Sequence, residues 1–293
     1  MQIKTIVALL IIVFTSIAHA REFPPAPGQR YDVGGYNMHI FCKGEGSPTV
    51  IIDAGLGDDS SDWFEIQDES AKITRTCVYD RPGYGWSDIG PRPRSSLVIS
   101  HELEVLLKKA HIEGPYVLVG HSFGGYNMRI FAANHPDKIS GLLLVDASHE
   151  NQYEKLNIKL PQNLAKQRNT IILPKQSDQL LTDKAVILQE RAYNAARAEI
   201  NAFYQSSNEV KKYHQLPNIP LIIVTRGQGE WKGRVDGEKR EKIWVSLQQD
   251  LWKLSPRSQH IFAFHSGHDI QLQQPEIINS AIADLVATSR VMQ

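Results

Sequence analysis

The chain has 293 residues, with 32 lysines and arginines against 32 aspartates and glutamates. That balance supplies no field to attract nucleic acid or an anionic membrane surface. A hydrophobic content of 42% is ample core for one large domain or two small ones.

In chain order, residues 1–20 read as a cleaved secretory signal. Lys4 gives a basic start, Ile6 to Ile17 is almost wholly apolar, and Ala18-His19-Ala20 offers small-x-small cleavage chemistry. An uncleaved anchor is the alternative, disfavoured because the apolar run is too short to span a bilayer comfortably. The expectation is a mature chain starting near Arg21, periplasmic or secreted, with no stable membrane span. Cys42 and Cys77 both survive cleavage; in an exported chain a disulfide is permissible, and two thiols buried as small hydrophobes are the alternative.

After Pro24 to Pro27, the segment Tyr31 to Cys42 alternates and reads as one or two antiparallel strands with a hairpin. Thr49 to Asp53 is a second apolar run, broken by Ala54-Gly-Leu-Gly57, and Ser61 to Thr74 is helix-like with Trp63 and Ile66. The strand Thr76 to Tyr79 stops at Asp80-Arg-Pro-Gly-Tyr-Gly-Trp-Ser87. Ser95 or Ser96 is placed to cap a helix reaching about Lys109, with Ile99, Leu103, Leu106 and Leu107 on one face.

Tyr116 to Val119 is a short buried strand that runs straight into Gly120-His-Ser-Phe-Gly124 and then a helix to about Asn134. A serine at the apex of a strand, tight turn and helix needs small flanking residues, because side chains there would strike the neighbouring strand and helix. Ile139 to Val145 is the next strand and ends at Asp146. From Ala147 to Leu216 the alternation lapses into a helical insertion, where Ala185, Leu188, Ala192, Ala196, Ile200 and Phe203 keep helical spacing. Ile219 to Val224 restores the sheet, Glu241 to Leu254 is helical, Gln259 to Phe264 is the last strand, and Pro275 opens a final helix to about Thr288. Strands alternating with helices imply an α/β class with a mostly parallel sheet flanked by helices.

The order of parts resembles the α/β-hydrolase fold family over essentially the whole mature chain. The resemblance rests on the elbow Gly120 to Gly124, the loop Asp80 to Ser87, the early Ala54-Gly-Leu-Gly57 and the late Gly267-His268. It implies an eight-stranded sheet with a helical cap over about 147–216, Ser122 as nucleophile, and His268 as base in preference to His265. For the third member the chain departs from the commonest pattern. Asp146 at a strand end and Glu230 in the loop Thr225-Arg-Gly-Gln-Gly-Glu230 both qualify, and Asp146 is preferred because its position is the more rigid. The backbone N–H groups of Phe123 and Leu56 are the implied oxyanion donors. Many relatives have His-Gly where this chain has Ala54-Gly55, which removes a supporting contact but no backbone donor. In this architecture Cys42 and Cys77 fall on neighbouring strands, so they are a candidate disulfide.

No cofactor is expected and no metal site either: His101-Glu-Leu-Glu-Val lacks a second histidine at ligand spacing. The expected activity is hydrolysis of an ester or related acyl bond of a small molecule through an acyl-enzyme. An inactive small-ligand binder and an amidase or aminopeptidase of the same fold are the alternatives.

Overall fold

Helices on both sides of a sheet require strands that are apolar on both faces, and the central strands here meet that condition. The computed structural model describes residues 25–159, 183–216 and 218–292, with 183–189 as backbone only. Residues 1–20 and the middle of the expected insertion, 160–182, lie outside the described residues. The strands are β1 (Gln29–Asp32), β2 (Asn37–Lys43), β3 (Thr49–Asp53), β4 (Thr76–Tyr79), β5 (Tyr116–His121), β6 (Ile139–Val145), β7 (Pro220–Arg226) and β8 (Arg257–Ala263). They form one sheet in the order β1-β2-β4-β3-β5-β6-β7-β8. Only β2 runs against the others, pairing antiparallel with β1 and β4.

The helices are α1 (Phe64–Ser70), α2 (Ser96–Lys109), α3 (Gly124–Asn134), α4 (Gln152–Lys155), α5 (Asp183–Val210), α6 (Gly237–Asp250), α7 (Ile270–Gln273) and α8 (Pro275–Met292). Odd and even strand residues feed two cores. Ile51, Leu118, Leu142, Leu144 and Ile223 face Leu103 and Leu107 of α2 and Met128 of α3. Ile52, Val119, Leu143 and Val224 face Ile66 of α1 and Ile278, Ile282 and Leu285 of α8. With both faces covered, the C-terminal ends of the parallel strands β3 to β8 all open at one edge of the sheet.

Several boundaries differ from the sequence reading for local reasons. The expected helix over Ser61 to Thr74 divides into a 3-10 turn at Ser60–Trp63, held by reciprocal bonds between Asp59 and Asp62, and the shorter α1. Ser95 stands at the start of α2 without capping it. The cap comes instead from α5, where Ser206 Oγ and Glu209 Oε2 accept the N–H groups of Ser96 and Leu97 at 3.0 and 2.9 Å. The alternation at Tyr31 to Cys42 resolves into the β1–β2 hairpin, whose turn is fixed by Asp32 Oδ1 accepting from Gly34 and Gly35 at 2.7 Å each.

The stripe expected on the insertion is met at Phe203 and is otherwise turned about the helix axis. Ala192, Ala196 and Ile200 are half-buried, while Ala195, Ala198, Glu199, Ala202, Phe203 and Ser206 are buried; Ala185 and Leu188 have side chains outside the described residues. Glu199 faces inward because its fully buried carboxylate pairs with Arg81 in the loop after β4. Phe203 meets Phe123 and Tyr126 at ring-centroid distances of 5.1 and 5.5 Å, laying α5 over the helix that follows the elbow. Cys42 and Cys77 stand opposite each other in the β2–β4 register and form a disulfide. Among the described residues no helix is long and apolar enough to cross a membrane, and no group of three or more His, Cys, Asp or Glu side chains is arranged to hold a metal ion.

Candidate active site

The turn after β5 is built by close packing. Ser122 sits at φ 49°, in the left-handed region that side chains rarely adopt. A side chain at Gly120 would lie 2.8 Å from the Gly124 carbonyl, and one at Gly124 would lie 2.4 Å from that of Asp53. These glycines let α3 start directly against β3 and β5, and leave Ser122 half-buried at the opening of the sheet. The Ser122 N–H donates to the Val145 carbonyl of β6 at 3.1 Å, and the Ser148 N–H donates to the Ser122 carbonyl at 2.9 Å, so the strained residue is held from two sides.

Asp146 follows β6 and is also strained, at φ 38°. It is fully buried and accepts four hydrogen bonds. Oδ2 takes His268 Nδ1 and Arg226 Nη1, each at 2.6 Å, and Oδ1 takes Trp244 Nε1 at 2.8 Å and the Arg226 N–H at 3.3 Å. Burial disfavours the charged carboxylate, but these donors outweigh it and hold the Asp146 carboxyl below the usual carboxylate range. The reciprocal effect falls on His268. Burial pushes its imidazole towards the neutral form, Asp146 more than offsets this, and the His268 pKa lies above its usual 6.5.

His268 is anchored through its backbone as well. Its carbonyl lies 3.1 Å from Nε2 of His121, the residue before Ser122, and the two imidazole rings are 4.8 Å apart. Its N–H donates to Oε1 of Glu230 at 2.9 Å. Asp146 and Glu230 therefore both reach His268, but only Asp146 meets the ring; Glu230 is exposed and grips the loop. His265 is exposed, and its backbone N–H donates to Gln274 Oε1.

A family model described as the alpha/beta hydrolase fold matches residues 48–215. The chain belongs to the α/β-hydrolase fold family. It is 28% identical to the Bacillus subtilis (strain 168) protein YqjL over 261 residues, covering 87% of this chain and 90% of that one. Among solved structures, the enol-lactonase from Burkholderia xenovorans LB400 matches with a TM-score of 0.63 at 15% identity, over 88% of this chain and 100% of that one. A thermophilic esterase from Thermogutta terrifontis matches with a TM-score of 0.61 at 19% identity, over 89% and 99%.

On the α/β-hydrolase frame, Phe123 lies at the start of α3 with its ring fully buried, and Leu56 lies half-buried in the loop after β3, packed against the Phe123 and Tyr126 cluster. Sequence reasoning missed Arg226, Trp244 and Glu241. Arg226 Nη2 also pairs with Glu241 Oε2 at 3.1 Å, and the guanidinium lies 4.6 Å from the Trp244 ring. A signal for Arg226 existed: β6 and β7 run parallel with Val145 beside Val224, so residues just beyond those strand ends are neighbours.

Proposed function

We propose that the protein is an exported serine hydrolase that cleaves a carboxylic ester or related acyl bond of a small molecule through an acyl-enzyme. The observation that carries this reading is the 2.6 Å contact between Asp146 Oδ2 and His268 Nδ1 at the mouth of the sheet that also presents Ser122. An ionised Asp146 keeps the proton on Nδ1, which leaves Nε2 with its lone pair. That nitrogen takes the Ser122 hydroxyl proton as Oγ attacks the carbonyl, and Asp146 stabilises the imidazolium that forms. The N–H groups of Phe123 and Leu56 receive the oxyanion, the imidazolium protonates the leaving alcohol, and water reverses the sequence to release the acid.

The lactonase and esterase neighbours support a hydrolase, and lactones join simple esters in the substrate class to be tried. The Asp146 contact with His268 favours the enzyme reading over an inactive small-ligand binder. Export is supported by the pattern of residues 1–20 and by the Cys42–Cys77 disulfide. Helix α5 and its flanking segment are read as the cap that shapes the acyl pocket.

The test is labelling by a fluorophosphonate probe together with a panel of p-nitrophenyl esters, lactones and anilides. The expected result is probe uptake and ester turnover, with Ser122→Ala reducing turnover by at least about a thousandfold. A folded wild-type protein that takes no probe and turns over no acyl substrate would refute the proposal.

A further inference from the structure

The loop after β4 carries a group that the proposed chemistry has not used. Arg81 has a side chain only 2% exposed, between two carboxylates that are fully buried, Asp53 at the end of β3 and Glu199 in the middle of α5. Its five N–H donors are all spent. Nε donates to Glu199 Oε1 at 2.8 Å; Nη1 donates to Asp53 Oδ1 at 2.6 Å and the Ala54 carbonyl at 2.7 Å; Nη2 donates to the Gly55 carbonyl at 2.6 Å and Glu199 Oε2 at 3.3 Å. Burial works against the charged guanidinium, but Glu199 and Asp53 together keep it protonated.

Two further donors reach the carboxylates of the cluster. Tyr84 donates its hydroxyl proton to Glu199 Oε2 at 2.8 Å, and Asn127 of α3 donates to Asp53 Oδ2 at 2.8 Å. The Arg81 guanidinium also lies 5.8 Å from the Phe123 ring. One side chain thereby links the loop after β3, the elbow helix and the helix laid across it.

The peptide unit supplies the mechanism. Gly55 C=O and Leu56 N–H belong to one planar trans peptide, so they point in opposite directions. A guanidinium that fixes the Gly55 carbonyl fixes the Leu56 N–H with it, and the Ala54 carbonyl, held by the same fork, removes the neighbouring freedom to rotate. This position is where the chain lacks the supporting histidine, having Ala54-Gly55 instead.

We infer that Arg81 is the positioning residue of the oxyanion loop, and that Glu199 locks it from α5, so that seating of that helix and alignment of the Leu56 donor are one event. The inference rests on the serine-hydrolase reading and on Leu56 as a donor. Lysine cannot substitute, because one ammonium with three donors cannot span two carboxylates and two successive carbonyls.

The test compares wild type, Arg81→Lys and Glu199→Gln on a p-nitrophenyl ester. Rates are taken per active site titrated with fluorophosphonate, so that misfolded protein does not count. Each protein is also inhibited by a methyl trifluoromethyl ketone, whose adduct places an oxyanion in the hole. A donor displaced by about an ångström costs about a hundredfold, so Arg81→Lys should lower kcat by about that factor with KM changed less than about threefold. The ketone should bind weaker by a similar factor. Glu199→Gln keeps an acceptor for Arg81 but not the charge, and should lose about tenfold in kcat and ketone affinity together. If Arg81→Lys does not fold, Glu199→Gln decides. A purely structural role predicts lowered melting temperature with kcat per titrated site and ketone affinity unchanged, and that result overturns the inference alone. A folded wild type that reacts with neither probe nor ester overturns the hydrolase reading and the inference with it.

Discussion

Replacing Asp146 by asparagine is the substitution on which the proposed wiring makes its sharpest demand. The carboxylate accepts from donors at all four contacts: His268 Nδ1 and Arg226 Nη1 on one oxygen, Trp244 Nε1 and the Arg226 N–H on the other. An amide must present its NH2 to one of these pairs. On the Trp244 side it meets an indole and a backbone N–H, neither of which can become an acceptor. On the His268 side one of the two partners can, because imidazole can move its proton to Nε2. The amide should settle with its NH2 towards His268, and that tautomer cannot take the Ser122 proton. The expected loss in kcat is about 10⁴, or roughly 5.5 kcal/mol of transition-state stabilisation. Stability should fall by less than the ~3–5 kcal/mol of a wholly orphaned buried charge, because Arg226 keeps Glu241 at 3.1 Å. Steady-state kinetics on a p-nitrophenyl ester, with chemical denaturation alongside, measures both. Glu230→Gln is the control: its amide oxygen can still accept the His268 N–H, and the cost should stay below about tenfold, one hydrogen bond's net worth. Retention of more than about a tenth of wild-type kcat by Asp146→Asn, or a larger loss in Glu230→Gln, would refute the reasoning, since a triad acid is worth about 10⁴.

The pH profile follows from the raised pKa of His268. A general base works when neutral, so with a folded pKa above 6.5 the acid limb of kcat/KM should fall above pH 6.5, and in Asp146→Asn it should move to lower pH because the charge that stabilised the imidazolium is gone. A limb below pH 6 in the wild type would count against the Asp146 contact. For the disulfide, opening a loop with a sequence separation of 35 should cost about 4 kcal/mol on the chain-entropy account. Urea unfolding of Cys42→Ser/Cys77→Ser against wild type measures it, and equal midpoints would show that the bridge adds nothing.

Much of the fold was legible because parallel strands covered on both faces leave continuous apolar runs, as at Thr49 to Asp53 and Ile139 to Val145, and the elbow carries its own steric signature at Gly120 and Gly124. The carboxylate partner of His268 was only partly legible. Asp146 and Glu230 both lie at the chemical edge of the sheet, and which one meets the His268 ring depends on how a loop folds, which no local pattern encodes. The inward face of α5 was legible at Phe203 but not at Glu199, because helical spacing was sought among apolar residues alone, whereas α5 buries Glu199 against Arg81 at a cost that only a distant partner can offset. The same reason hid the cap of α2, which comes from Ser206 and Glu209 more than a hundred residues along the chain. Contacts of this kind are written in pairs of positions, and a single sequence shows each member without its mate.

The central claim is that Ser122 becomes covalently acylated. The direct measurement is rapid acid quench of the protein during turnover of p-nitrophenyl acetate, followed by proteolysis and peptide mass mapping. One acetyl group on the peptide containing Ser122, absent from Ser122→Ala and enriched when deacylation is slowed, is the predicted result. Turnover with no acetylated Ser122, or acetylation confined to another residue, would contradict it.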